Sequence, residues 1–166
     1  MRLVLVAFIF TALALLGCGD EKQAGRAYRD AVQRMASART FLEDMAAQEG
    51  VERTRSGLLY RVERRAQGSA AGPALEDAVL IHYSAQLTDG NEIDSSYERN
   101  TPAEFSMLTL LAGLREGISL MRPGDRYVFY IPPQLAYGAT GKAPIIPQNA
   151  ALVYTVELLS VIKQQS

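Results

Sequence analysis

Three textures of apolar and polar positions follow one another along the 166 residues. The first is an apolar run from Leu3 to Leu16, broken only by Thr11, opened by Arg2 and closed by Gly17, Cys18 and Gly19. At about 14 residues it falls short of the roughly 20 that a helix needs to cross a bilayer, and a charged start with a small-residue finish is the pattern of an export signal. From Glu21 to Glu49 there is no proline and only Gly25 before the end, and good helix formers dominate, so a helix is predicted. Tyr28, Ala31, Met35, Ala38, Leu42 and Met45 recur at alternating steps of three and four, an apolar stripe beside a face of Arg, Gln, Asp and Glu. At about 1.5 Å per residue the helix could reach roughly 40 Å, a length that suits a spacer. Two covers for the stripe stay open: the chain's own β structure, leaving a monomer, or a second copy in a weak dimer through this helix.

From Gly57 onward short apolar and aromatic runs are punctuated by Gly, Pro, Asp and Asn, the texture of antiparallel β structure. Strands are predicted near Leu58 to Arg64, Ala78 to Leu87, Arg126 to Ile131 and Ala151 to Ile162. Gln67 to Pro73 reads as a loop, and Asp89-Gly90 and Arg122-Pro123-Gly124-Asp125 as turns. Leu110 to Met121 offers one short helix. A single amphipathic helix among four or five antiparallel strands buries its apolar side only across one face of the sheet, which predicts an α+β fold preceded by the N-terminal helix.

Charge and composition narrow the chemistry. A net charge of -1 gives no reason to expect a nucleic-acid partner, whose phosphates demand clustered Lys and Arg. One cysteine cannot form an internal disulfide, and one cysteine with one histidine is a poor basis for a zinc site, so no metal is expected; no cofactor is expected either. Taken alone, Tyr83, Phe105, Phe129 and Tyr154 read as core aromatics, and Asp94 as a turn or capping acid. His82 alternates with the inward positions Ile81 and Tyr83 and reads as structural or exposed. Tyr137 stands out, because a large aromatic in a Gly-flanked loop is seldom there for core packing alone. The loop from Ala136 to Asn149, about 14 residues, is long enough to predict a functional flap.

Ordered segments spread along the second texture resemble the FKBP family of peptidyl-prolyl cis/trans isomerases. They are Val79-Leu80-Ile81-His82-Tyr83, Asp89-Gly90 and Asp94-Ser95-Ser96, then Arg99, Pro102, Phe105, Gly113, Glu116-Gly117 and Met121. Ile131-Pro132, Leu135-Ala136-Tyr137-Gly138, Ile145-Ile146-Pro147, Asn149-Ala150 and Val156-Glu157-Leu158-Leu159 complete the set. Upstream, Phe41-Leu42, Gly50-Val51, Ser56-Gly57-Leu58 and Tyr60 resemble the macrophage infectivity potentiator-like branch, whose members carry a helical segment before the catalytic domain. Leu15-Leu16-Gly17-Cys18 is similar to the lipobox of bacterial lipoproteins, which implies acylation at Cys18, with Gly19 pointing to the outer membrane facing the periplasm. The resulting expectation is a signal over 1–17, a lipidated spacer over 18–50 and an isomerase domain over 51–166 with its core at 75–162.

The resemblance implies a twisted antiparallel sheet wrapped round one short helix, with an apolar pocket between them that admits proline-containing polypeptides. Asp94, Tyr137, Leu111 and Tyr83 would form its catalytic set, with the Tyr137 hydroxyl and the Leu111 N–H donating to substrate carbonyls and Asp94 setting polarity without acting as a base. Ile93, Phe105, Leu110, Leu114, Ile145, Ile146 and Tyr154 would bind substrate, and Arg99 would pair with Asp94 at the edge. Leu114 stands where the family commonly has Trp, Ile93 where Phe is usual and Ala103 where an aromatic is common. Each aromatic would bury about 150–250 Å², so a wider pocket follows, with slower catalysis and weaker binding of macrolides such as tacrolimus or rapamycin. A non-catalytic chaperone that holds apolar client segments in the same groove is the alternative.

Overall fold

The computed structural model describes residues 18–68 and 70–163. The expected export signal over 1–17 lies outside them. Helix α1 (Cys18–Ala46) occupies the stretch where helix formers dominate, and the chain divides into two compact units, Met1–Gln33 and Arg34–Ser166. In the first unit Tyr28 and Val32 are exposed. In the second, Phe41, Leu42, Met45 and Ala46 pack against Leu59, Val128 and Tyr130, and the Phe41 ring meets Tyr130 edge-on at 6.1 Å between centroids. The later half of the stripe is therefore covered by the chain's own sheet, while Met35 stays exposed.

The sheet has seven strands: β1 (Val51–Arg53), β2 (Leu59–Arg64), β3 (Ala78–Leu87), β4 (Glu92–Ser95), β5 (Ala103–Ser106), β6 (Arg126–Ile131) and β7 (Leu152–Ile162). Their order is β1-β2-β6-β7-β3-β4, with β5 also pairing with β3, and every pairing is antiparallel. The four strands expected from alternation appear within a residue of their expected bounds. Three short strands bring the number above the expected four or five, and two of them, β4 and β5, share one edge of β3. Helix α2 (Ala112–Ser119) is shorter than the predicted Leu110 to Met121, because Leu110 and Leu111 are extended.

Period-two alternation decides what each face does. On β7, Leu152, Tyr154, Val156 and Leu158 point inward, and on β6 so do Tyr127, Phe129 and Ile131. Leu114 and Ile118 of α2 complete this core. Val128 and Tyr130, on the opposite face of β6, lie beneath α1, which is why five consecutive residues of that strand are buried. α2 can approach the sheet closely because two of its inward positions are glycine. A Cβ on Gly117 would lie 2.5 Å from Phe129 Cε1, and one on Gly113 2.5 Å from Ile131 Cγ2. Buried Asp125 ties the turn before β6, accepting from the backbone N–H of Ala66 at 2.7 Å and of Arg122 at 2.9 Å.

Candidate active site

Where α2 begins, the sheet's inner face is not filled. A cavity of about 360 Å³ opens there, lined by Ile81, Tyr83, Asp94, Phe105, Thr109, Leu110, Leu111, Leu114, Tyr137, Lys142 and Tyr154. That volume suits a small ligand or a short piece of chain. Three elements supply the aromatic wall: Tyr83 from β3 meets Phe105 of β5 edge-on at 5.8 Å and lies nearly parallel to Tyr154 of β7 at 6.2 Å. Leu114 on the first turn of α2 lies at the floor, almost fully buried.

A polar cluster around Asp94 interrupts the apolar lining. Tyr83 donates its hydroxyl to Asp94 Oδ2, Arg99 Nη1 donates to Asp94 Oδ1, and Arg99 Nη2 donates to the Tyr83 hydroxyl at 3.0 Å. Burial pushes the Asp94 carboxyl up, but hydrogen bonds from Tyr83 and Arg99 outweigh it and hold the group below its ordinary range. Burial also raises Tyr83, and donation to Asp94 raises it further. Burial likewise lifts the Tyr154 phenol above its usual value. The site at neutral pH is thus an ionised carboxylate, hydrogen-bonded on both oxygens, among neutral phenols. Asp94 has no spare basicity for proton abstraction, consistent with a role in setting pocket polarity.

Two donors at the mouth are unspent. The Tyr137 hydroxyl and the Leu111 backbone N–H make no hydrogen bond among the described residues. Leu111 owes this to its place at the N-cap of α2, where its extended backbone leaves the first N–H groups of the helix without internal acceptors. Tyr137 is carried by the flap, whose base is closed by the Asn149 N–H donating to Gly138 O at 2.8 Å. Gly138 (φ 55°) and Gly141 (φ 67°) take the left-handed conformation, and a Cβ on Gly141 would fall 2.6 Å from Ile146 O.

Of the residues that the resemblance assigned to the pocket, the structure gathers Tyr83, Asp94, Phe105, Leu110, Leu111, Leu114, Tyr137 and Tyr154, with Arg99 at the edge. Three further assigned residues lie outside this lining. Ile146 of the flap is buried in the core, Ile93 packs against that core from β4, and Ile145 is 55% exposed; none of them lines the cavity. Ile81, Thr109 and Lys142 line it instead. Ile81 was legible, since it shares a strand face with Tyr83 two residues on; nothing in the pattern singled out Thr109 or Lys142. His82 lies on the other face, accepting from or donating to Ser96 Oγ at 3.0 Å and stacked on Tyr97 at 4.8 Å, as its alternation implied. A larger cavity of about 750 Å³ lies between the second half of α1 and the back of the flap, but it holds none of the aromatic and polar groups gathered in the smaller one.

Most of the chain is similar to known proteins. Residues 70–159 match the family model described as FKBP-type peptidyl-prolyl cis-trans isomerase, and residues 9–62 match the domain amino terminal to FKBP-type peptidyl-prolyl isomerase. The chain is 42% identical over 144 residues to the FKBP-type peptidyl-prolyl cis-trans isomerase FkpA of Aeromonas hydrophila, covering 87% of this chain and 53% of that protein. It is 36% identical to the macrophage infectivity potentiator of Trypanosoma cruzi, covering 94% of this chain and 82% of that one. The crystal structure of FkpA from Escherichia coli superimposes with a TM-score of 0.79 at 34% identity, over 86% of this chain and 66% of that one. The chain thus spans little more than half the length of its FkpA relative from A. hydrophila.

Proposed function

We propose that this chain, which belongs to the FKBP-type peptidyl-prolyl cis-trans isomerase family and its macrophage infectivity potentiator-like branch, catalyses rotation about X-Pro bonds in polypeptide clients. The observation that carries this is the conjunction of a largely apolar, aromatic-walled cavity with two unspent donors, the Tyr137 hydroxyl and the Leu111 N–H. Rotation faces a barrier of about 18–20 kcal/mol because amide resonance is lost in the twisted state. A twisted amide is less charge-separated than a planar one, so an apolar cavity favours it, and the two donors orient the flanking chain. The chemistry needs no nucleophile and no proton transfer.

The test is turnover of a proline-containing tetrapeptide. The wild-type chain accelerates isomerisation over buffer, Tyr137→Phe loses about three- to tenfold in kcat/KM, as expected for one hydrogen bond, and Asp94→Leu loses more by dismantling the Arg99 cluster. Rates equal to buffer, with suppression of client aggregation, would instead select the chaperone. Leu114 at the floor supports weak macrolide binding: tacrolimus inhibits poorly, and Leu114→Trp lowers the concentration required.

For the cell, the reading is an exported lipoprotein that assists folding of proteins outside the cytoplasm. It is supported by the Leu3 to Leu16 run and the Leu15-Leu16-Gly17-Cys18 motif. Cys18 carries the lipid, α1 spaces the domain from an outer membrane facing the periplasm, and the exposed Tyr28 and Val32 support weak dimerisation through this helix. Palmitate labelling that persists after Cys18→Ala would refute the anchor, and sedimentation of the mature chain reads the dimer.

A further inference from the structure

The geometry points to Lys142 as a specificity-determining residue that favours clients carrying an acidic side chain beside the proline; this rests on the isomerase reading of the same pocket. Among the described residues, two charged side chains line the cavity, Asp94 and Lys142. They are not equivalent. Asp94 is engaged on both oxygens, by Tyr83 and by Arg99, so its charge is offset where it stands. Lys142 makes no ion pair among the described residues. Its ammonium lies 5.6 Å from the centre of the Tyr137 ring. A ring face attracts a cation without cancelling its charge, and three N–H donors remain for solvent or ligand. The lining therefore presents a net positive charge on the flap side.

The backbone that carries this charge is held in place. Lys142 N–H donates to Ile146 O at 2.8 Å, and Ile146 N–H donates back to Lys142 O at 2.8 Å, so the backbone of Lys142 is locked to a residue buried in the core. Tyr137, over which the ammonium sits, carries a hydroxyl proposed to orient the substrate chain. A side chain flanking proline in a chain so oriented passes the ammonium. A carboxylate there gains a solvent-exposed cation that no other side chain pairs, whereas a lysine meets a like charge.

The experiment measures kcat/KM in a protease-free assay on matched peptides with Glu, Gln or Lys on either side of proline, at low and high salt. In the wild type the Glu peptide exceeds the Lys peptide by about two- to fivefold at low salt, the range expected of an exposed pair, and the ratio contracts as salt screens it. Lys142→Gln removes the preference, Lys142→Glu reverses it and Lys142→Arg retains it. Ratios within each variant are compared, so a general loss of activity cancels. A Glu-to-Lys ratio near one in the wild type, or the same ratio in Lys142→Gln, overturns the inference while leaving the isomerase reading intact. Should no peptide turn over, the isomerase reading fails, and fluorescence anisotropy of the labelled peptides still decides whether Lys142 selects acidic ligands.

Discussion

Asp94 is the residue on which the polarity of the pocket turns, and its chemistry has a testable pH signature. Its folded-state pKa is depressed by donation from Tyr83 and Arg99, which outweighs its burial. A depressed carboxyl stabilises the fold fully above its unfolded-state pKa, about 3.9, and that contribution disappears as pH falls through the lower folded-state value. The gap in urea midpoint between wild type and Asp94→Asn should therefore be constant at neutral and mildly acid pH and close only below about pH 4. A gap that closes already near pH 6 would mean that some other group holds the cluster together. Because the carboxylate is about half exposed, the gap should be small, near 1 kcal/mol or less as is typical of solvent-screened pairs (~0–1 kcal/mol). The same residue shows what a single position can reveal in advance: Asp94 after a turn looks like a capping acid, and only the ordered family pattern around it pointed to a pocket.

At the scale of elements, legibility followed length. β3, with ten residues of sustained patterning, and β6 and β7 were readable from alternation and composition. β1, β4 and β5 have three or four residues each and too few apolar positions to show a period, so pairing with longer neighbours, not local propensity, makes them strands. The flap was readable as a long loop but not in its interior. Which of Ile145 and Ile146 faces the core is set by the Lys142 to Ile146 bridge, a contact within the loop that no periodicity announces. The α2 to β6 contact supplies an element-scale prediction. Alanine is favoured over glycine in a helix by about 1 kcal/mol. Yet the added Cβ at Gly117 would sit 2.5 Å from a fully buried phenylalanine ring, and overpacking costs about 1–3 kcal/mol. The clash should win, so Gly117→Ala lowers the thermal midpoint; a rise would mean that α2 can lift off the sheet without losing contacts.

Across the whole molecule, α1 joins two jobs, and the break falls inside the helix rather than at its end. Residues from Arg34 belong to the compact unit built on the sheet, where Phe41, Leu42 and Met45 cover Leu59, Val128 and Tyr130. Arg34 Nε also donates to Gln148 O at 3.2 Å, linking the helix to the base of the flap. The patterning announced one continuous stripe but could not say where its cover changes, because the spacing of apolar positions is the same on both sides of residue 34. Two truncations separate the jobs. A chain beginning at Asp30 keeps all of these contacts and should match the full mature chain in denaturant midpoint and in turnover. A chain beginning at Ala47 exposes the outer face of β2 and β6. With each of the three half-buried side chains worth about 1 kcal/mol, it should lose roughly 3 kcal/mol, a large part of the ~5–15 kcal/mol that a domain possesses. Equal midpoints for the two truncations would show that the outer face of β6 needs no cover from α1, and would return the whole stripe to a role in spacing or self-association.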